Sequence, residues 1–194
     1  MTTKNSRYYK PANLIRVLRK IHRTTAIFLF TFFLVVSVSG LLLGWKKNSG
    51  GLILPPSATG ISNDLKTWLP IDSLRVIAVK ALQDSVSAGL SDELERIDAR
   101  PQKGMVKFVF ADDYWEIQLD GTTGKVLLVE RRRSDIIENI HDGTILDVLF
   151  NTENDQFKLS YTTIMGLSLL MLTISGFWLW YGPKRLRKQK RIAQ

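Results

Sequence analysis

Two histidines, His22 and His141, are the residues of this sequence best suited to chemistry, because a neutral imidazole can ligate a metal ion or transfer a proton. They are the only histidines among 194 residues, and the chain has no cysteine. The lack of cysteine excludes disulfides, thiol catalysis and cysteine-ligated metal or iron–sulfur sites. Each histidine lies just outside a long apolar segment, in RKIHRTT and in ENIHDG. The position of each imidazole therefore depends on the apolar segment that follows it in the chain.

Two uncharged apolar segments cover residues 26–45 and 161–181. About 20 residues at a rise of 1.5 Å cross a hydrocarbon core of about 30 Å, so both segments are predicted to be transmembrane helices. Aromatic rings, which favour the headgroup region, stand at their ends: Trp45, Tyr161, Trp178, Trp180 and Tyr181. A cleaved signal peptide is the alternative for the first segment. The 25 residues before it and its continuation through LLLGW favour an uncleaved helix.

Basic residues are concentrated in the two terminal segments. Residues 1–25 contain seven Lys or Arg and residues 182–194 contain six, without any acidic residue. All 18 acidic residues lie between the predicted spans, together with the other 14 basic residues. This distribution predicts two cytoplasmic termini and an extracytoplasmic region at residues 46–160. The basic ends also favour contact with anionic membrane lipid, whereas nucleic-acid binding is not expected because they contain no recognition motif.

Residues 46–133 predict a linker followed by a small α+β domain. The Gly-, Pro- and Ser-rich residues 48–60 are expected to form the linker, and residues 70–88 have helical spacing. Two-residue alternation then predicts four antiparallel strands, at 93–101, 104–112, 114–120 and 125–133. We expect one face of this sheet to be buried under the helix.

No residue of this α+β domain indicates catalysis. Asp112, Asp113 and Asp120 lie in predicted turns, where a short carboxylate accepts hydrogen bonds from neighbouring backbone N–H groups. This interpretation is favoured over a metal site. The domain has no glycine-rich phosphate loop between a strand and a helix, and no histidine for a serine-type triad.

Residues 134–160 predict an amphipathic interfacial helix and a hinge. Helical spacing of apolar residues extends over 134–150, with Asp135 and Glu138 as an expected N-terminal capping box. The segment is expected to rest on the outer membrane surface, with His141 on or beside its apolar stripe. Residues 151–156 form the expected hinge.

His22 is predicted to lie at the cytoplasmic interface, in a helix that begins at Asn13 and continues into the first span. His141 lies at the opposite interface, roughly 30 Å away, so the two imidazoles cannot bind the same iron. A low-spin b-type haem requires two axial ligands. In a twofold-symmetric homodimer each histidine would face its own copy, within a four-helix bundle that encloses two haems.

The residues alone leave other possibilities open. Each histidine could contact lipid headgroups instead. Within one chain, Met165 could serve as the second ligand of His141, while near His22 only Met1 is available. Small residues permit the close approach of a neighbouring helix or a flat macrocycle. They are Gly40 and Gly44 in the first span, Gly166 and Gly176 in the second, and Gly143.

Several segments, taken in order from about residue 14 to 185, resemble the PepSY-associated transmembrane family. They are LRKIHRTTAIFLFTFFLVVSVSGLLL, YWEIQLDGTTGKVL, IHDGTIL and GLSLLMLTISGFWLWYGPKR. One departure is HRTTA, where the family commonly has a tryptophan followed by a glycine. Larger relatives have two PepSY-type domains and at least four spans, and some reduce ferric siderophores through haem. This chain is about half that size.

The resemblance implies two transmembrane helices flanking a PepSY-like helix-and-antiparallel-sheet domain, and a homodimer that reproduces the larger architecture in a bacterial inner membrane. It implies haem b, two per homodimer, with His22 and His141 as axial ligands, each paired with its copy. A cytoplasmic or quinol donor would supply electrons to a periplasmic acceptor such as a ferric siderophore. Lys20, Arg23 and residues 131–133 are candidate partners for haem propionates. The alternative is a non-enzymatic PepSY membrane module that binds or regulates a peptidase or an envelope partner.

Overall fold

The computed structural model describes residues 6–111, 113–152 and 154–192. Asp112 and Met1, on which two of the expectations fall, lie outside these residues. The chain divides into two compact units, one formed by Met1–Val38 with Ile140–Gln194 and the other by Ser39–Asn139.

Helix α1 (Ser6–Trp45, 40 residues) and helix α5 (Gln156–Ile192, 37 residues) contain the two apolar segments. Both are long and apolar enough to cross a membrane. Only 11% of the most apolar 18-residue stretch of each helix is buried within the chain. A soluble core helix would be mostly buried, so the exposed apolar surface supports membrane-spanning helices.

The expectation that the first helix begins at Asn13 was wrong, because α1 already includes Ser6. Each residue added to an existing helix contributes one backbone hydrogen bond, which outweighs the preference of one asparagine for a capping position.

Helices α1 and α5 are antiparallel neighbours. Ile15 lies beside Gly182, where an added Cβ would be 3.1 Å from the Ile15 Cδ1 atom. Further along α1, the rings of Phe32 and Tyr161 meet edge to face, with centroids 6.3 Å apart. Contacts that advance along α1 therefore move back along α5, which defines the antiparallel arrangement.

Helices α3 (Arg133–Asp142) and α4 (Thr144–Phe150) replace the single helix expected over residues 134–150. Gly143 separates them with a φ of 86°, a left-handed conformation that glycine adopts without a Cβ penalty. A Cβ there would also lie 3.0 Å from the Tyr161 ring. Apolar spacing continues across this break, so periodicity alone did not reveal it.

The second unit contains helix α2 (Ile71–Ser85) and a four-stranded antiparallel sheet in the order β1-β2-β3-β4. The strands are β1 (Leu94–Arg100), β2 (Met105–Phe110), β3 (Trp115–Asp120) and β4 (Val126–Arg131). Short 3-10 helices cover Lys46–Asn48, Leu65–Thr67 and Pro101–Lys103. The predicted helix and strands are confirmed within a few residues at each end.

One face of the sheet packs under α2, as expected from the sequence. Leu74 and Leu82 of α2 form a core cluster with Phe108, Ile117 and Leu119 of the sheet. These side chains are almost completely buried, so removing them from water is a main source of stability for this unit.

The opposite face of the sheet is also buried, beneath the segment that the sequence suggested was only a linker. Ile53 is 8% exposed. The Gln118 side chain donates to the Pro56 carbonyl over 2.8 Å and accepts from the Ala58 N–H over 2.8 Å. The linker is therefore an ordered part of this unit rather than a free connection.

Candidate functional site

His22 is half-buried against α5, where its Nδ1 atom lies 2.8 Å from the Ser175 hydroxyl. Gly176 leaves room for the ring, since an added Cβ would be 3.5 Å from the His22 Cε1 atom. Ser175 lies three residues before Trp178 and six before Tyr181, which is about 5 Å and about 9 Å of helix. His22 is thus level with a residue one turn inside the aromatic end of the predicted span.

The other ring nitrogen of His22, Nε2, has no hydrogen-bond partner within the described part of the chain. His22 lines an open cleft of about 520 Å³ together with Arg23, Ala26, Ile27 and Phe30. A neutral imidazole whose Nδ1 is hydrogen-bonded retains one further nitrogen for a ligand. Nε2 of His22 is therefore the atom that would bind a haem iron, and the Arg23 cation could pair with a haem propionate.

His141 is half-buried at the C-terminal end of α3, next to the connection with α4. The Asp142 carboxylate accepts hydrogen bonds from the backbone N–H (3.0 Å) and hydroxyl (2.7 Å) of Thr144. It also forms an ion pair of 3.2 Å with Lys158 of α5. Burial alone would raise the pKa of Asp142, but these bonds to Thr144 and Lys158 outweigh it and lower that pKa. The backbone beside His141 is thereby tied to both α4 and α5.

Asp147 of α4 caps the start of α5. Its carboxylate accepts from the backbone N–H groups of Phe157 (2.9 Å) and Lys158 (2.8 Å), and from the Thr152 hydroxyl. Burial would raise the pKa of Asp147, whereas these hydrogen bonds lower it. A carboxylate at a helix N-terminus satisfies unpaired N–H groups and interacts favourably with the helix dipole. Local sequence does not reveal this cap, because its backbone partners lie ten and eleven residues further along the chain.

The two histidines are not brought together within one chain. Gly143, two residues after His141, packs on Tyr161, whereas His22 contacts Ser175. Tyr161 and Ser175 are 14 residues apart in α5, which corresponds to about 21 Å. This separation is shorter than the roughly 30 Å expected from bilayer thickness, but it still excludes a shared iron. The described residues contain no group of three or more His, Cys, Asp or Glu that could hold a metal ion.

A buried ionic network occupies the second face of the sheet. Glu116 is completely buried and accepts from Lys107 over 2.8 Å and from Arg132. Arg132 also pairs with Asp135 over 2.7 Å, and Asp135 with Arg96 over 3.2 Å. Burial would lower the pKa of Arg132, but its bonds to Asp135 and Glu116 outweigh burial and raise that pKa.

This network corrects two expectations. Asp135 and Glu138 do not act together as a capping box, because Asp135 pairs with arginines and Glu138 lies 3.7 Å from Lys46. Arg132 is 9% exposed and bound within the network, so it is not suited to a haem propionate. The neighbouring Arg131 pairs with Asp113 over 3.0 Å.

The turn that contains Asp120 has the structural role expected from the sequence. One oxygen of the Asp120 carboxylate accepts from the backbone N–H groups of Thr122 (2.9 Å) and Thr123 (2.7 Å). The other accepts from the N–H of Ile61 over 2.6 Å. Burial would raise the pKa of Asp120, while these backbone bonds lower it.

Two long apolar helices with a small helix-and-sheet domain between them in sequence define a class of membrane protein with two candidate spanning helices. The family model described as PepSY-associated TM region matches residues 15–194, and the chain belongs to this family. The resemblance noted in the sequence is thereby confirmed. A comparison with curated proteins finds no match.

Proposed function

We propose that two copies of the chain form a homodimer that binds two b-type haems and transfers electrons across a bacterial inner membrane. His22 and its copy would hold one haem, and His141 and its copy the other. The observation that carries this proposal is the placement of His22. Its Nδ1 atom is bonded to the buried Ser175 of α5, and its Nε2 atom retains no partner among the described residues.

The contact of His22 with the buried Ser175 favours a ligand over a lipid-headgroup contact. A polar side chain in the hydrocarbon region is costly unless it finds a partner, and such residues usually face a bundle interior. Level with Ser175, the imidazole lies about 5 Å inward from Trp178 and about 9 Å inward from Tyr181. An axial position on iron would satisfy Nε2 at this depth.

The exposed apolar surface supports the second copy of the chain. Most of the apolar stretch of each long helix is not covered by the chain itself. A Cβ added to Gly166 would meet no atom within 4 Å in the described structure, so that position is open to a neighbouring helix. Four helices from two chains would enclose sites built from side chains on facing helices.

The chain supplies ligation, orientation and charge at each proposed site. When bound, haem would supply reversible one-electron iron chemistry. Arg23 would pair with a haem propionate beside His22. The Asp142–Lys158 ion pair would hold the end of α3, and with it His141, against α5. The two positions lie about 21 Å apart along α5, a spacing that supports one carrier towards each side of the membrane.

The orientation follows from the charge distribution. The basic ends would remain cytoplasmic and residues 46–160 would be periplasmic. The inner haem would then face a cytoplasmic or quinol donor, and the outer haem a periplasmic acceptor such as a ferric siderophore.

An absorption spectrum with a haem-to-chain ratio tests the proposal. Protein purified from haem-replete cells should show the Soret and α bands of bis-histidine b haem, at about one haem per chain. His22→Ala and His141→Ala should each remove about half of the haem, whereas the control Thr173→Ala on the exposed side of α5 should remove none. Colourless wild-type protein would contradict the proposal. It would favour the alternative, a module that binds or regulates a peptidase or an envelope partner.

A further inference from the structure

We propose that Ser175 is a positioning residue that fixes the tautomer of His22, so that the proton resides on Nδ1 and the lone pair on Nε2. The identity of the bound metal rests on the proposed function. The tautomer itself is a property of the chain without haem and can be measured separately.

The hydroxyl of Ser175 has two neighbours that compete for its single proton. Its Oγ atom lies 3.2 Å from the Leu172 carbonyl of its own helix and 2.8 Å from the Nδ1 atom of His22. A hydroxyl has one donor and two acceptor sites. If it donates to Leu172, it must accept from Nδ1–H, and both hydrogen bonds form. If it donates to Nδ1, only one of the two bonds forms.

The arrangement with two hydrogen bonds is therefore favoured. A hydrogen bond in a low-dielectric interior is electrostatically stronger than in water, so losing one has a large effect on the balance between tautomers. Free neutral histidine in water instead prefers the proton on Nε2, the nitrogen that would have to face the iron. Ser175 thus reverses this intrinsic preference, so that Nε2, the nitrogen without a partner, carries the lone pair.

The partner also restricts ring rotation. The Ser175 contact holds one side of the imidazole, and Gly176 leaves ordinary van der Waals space beside Cε1. Outer-shell hydrogen bonds of this kind orient a ligating histidine and increase its basicity, and their removal typically costs about 10–100-fold in metal affinity. Ser175 would act through His22 and would not touch the iron.

Nitrogen-15 NMR of the haem-free, full-length chain in detergent micelles tests the inference at about pH 8.5, where a free imidazole is neutral. We expect His22 to be protonated mainly on Nδ1 in the wild type. Ser175→Ala should shift the population towards Nε2–H, and Ser175→Thr, which keeps a hydroxyl, should restore it. His22→Ala assigns the signals by removing one of the two sets.

Thr173→Ala is the matched control. Thr173 donates to the Leu169 carbonyl over 2.8 Å in the same helix, but its side chain is exposed. Its removal should leave the tautomer of His22 unchanged. In haem titrations, Ser175→Ala should weaken haem binding at the His22 site by about 10–100-fold and shift the reduction potential of that haem. The affinity and reduction potential of the His141 site should stay unchanged.

The inference is overturned if wild-type His22 carries its proton mainly on Nε2, or if Ser175→Ala leaves the tautomer unchanged. These outcomes do not depend on haem binding. A wild-type chain with the expected tautomer that binds no haem would contradict the proposed function while supporting the role of Ser175 in fixing the ring.

Discussion

Replacing Glu116 with glutamine should destabilise the sheet domain far more than its small chemical change suggests. Glu116 is completely buried and lies between two cations, Lys107 and Arg132. Glu116→Gln keeps the size of the side chain but removes its negative charge. Lys107 then loses its counter-ion and Arg132 retains only Asp135. The amide N–H of the new glutamine also faces a cation, and two donors cannot form a hydrogen bond with each other.

The expected loss follows from the burial of these groups. Removing one partner from a buried ion pair typically costs about 3–5 kcal/mol, because the remaining charge stays buried without compensation. Domains commonly have a total free energy of unfolding of about 5–15 kcal/mol, so this loss is a large fraction of the stability. It corresponds to roughly 10²–10⁴-fold faster hydrogen exchange through global opening of the domain.

Hydrogen exchange with mass spectrometry on the full chain in detergent would measure this effect. Peptides from Met105–Phe110 and Trp115–Asp120 report on the sheet. The matched control is Glu130→Gln, because Glu130 pairs with Glu116 across the β3–β4 ladder but is exposed. It should change stability by no more than about 0.5 kcal/mol. If Glu116→Gln also stayed within that range, Glu116 would not be a buried counter-ion of Lys107 and Arg132.

Three further predictions concern the turn, the helix cap and the outer haem. Asp120→Asn should reduce sheet stability at neutral pH. The difference between the two proteins in free energy of unfolding should shrink as pH falls below about 3.9 towards the lowered pKa of Asp120 in the folded state. Protonation of wild-type Asp120 then removes the stabilisation that its charged carboxylate provides. A constant difference down to pH 2 would contradict this. Asp147→Ala should destabilise the start of α5, seen as faster exchange of the Phe157 and Lys158 amides; unchanged exchange there would argue against the cap. Met165→Leu conserves volume and should preserve the bis-histidine spectrum. Loss of the outer-haem signal would instead identify Met165 as a ligand.

The two long helices and the order of the strands could be predicted because each rests on a local pattern. Twenty apolar residues without charge indicate a span. The alternation of Val106, Phe108 and Phe110 also predicts one buried face of a strand, and α2 covers that face. These patterns depend on near neighbours in the chain, which are visible in a single sequence.

The second buried face of the sheet could not be predicted in the same way. Lys107, Glu116 and Gln118 have the polarity of solvent-facing residues, yet all are at most 2% exposed. Their burial depends on a segment around Pro56, about 50 to 60 residues earlier in the chain. Charged side chains are buried there only because each finds an oppositely charged partner, which alternation does not reveal.

The rarity of histidine marks both residues in the sequence, but their surroundings are not visible there. Ser175 is one of several hydroxyl residues in the second span, and nothing in its local sequence marks the contact with His22, 153 residues away. Asp147 lay within an amphipathic pattern in which a carboxylate is ordinarily solvated. A conserved pairing of positions 22 and 175 across relatives would have been a usable sequence signal.

In the proposed homodimer, each haem requires the same histidine from two copies of the chain. A mixed dimer, isolated with two different affinity tags, can carry His22→Ala in only one copy. We predict that this single substitution removes the whole low-spin signal of the inner haem, since the remaining imidazole has no mate. Retention of about half of that signal would show that each chain completes its own site, and it would contradict the account.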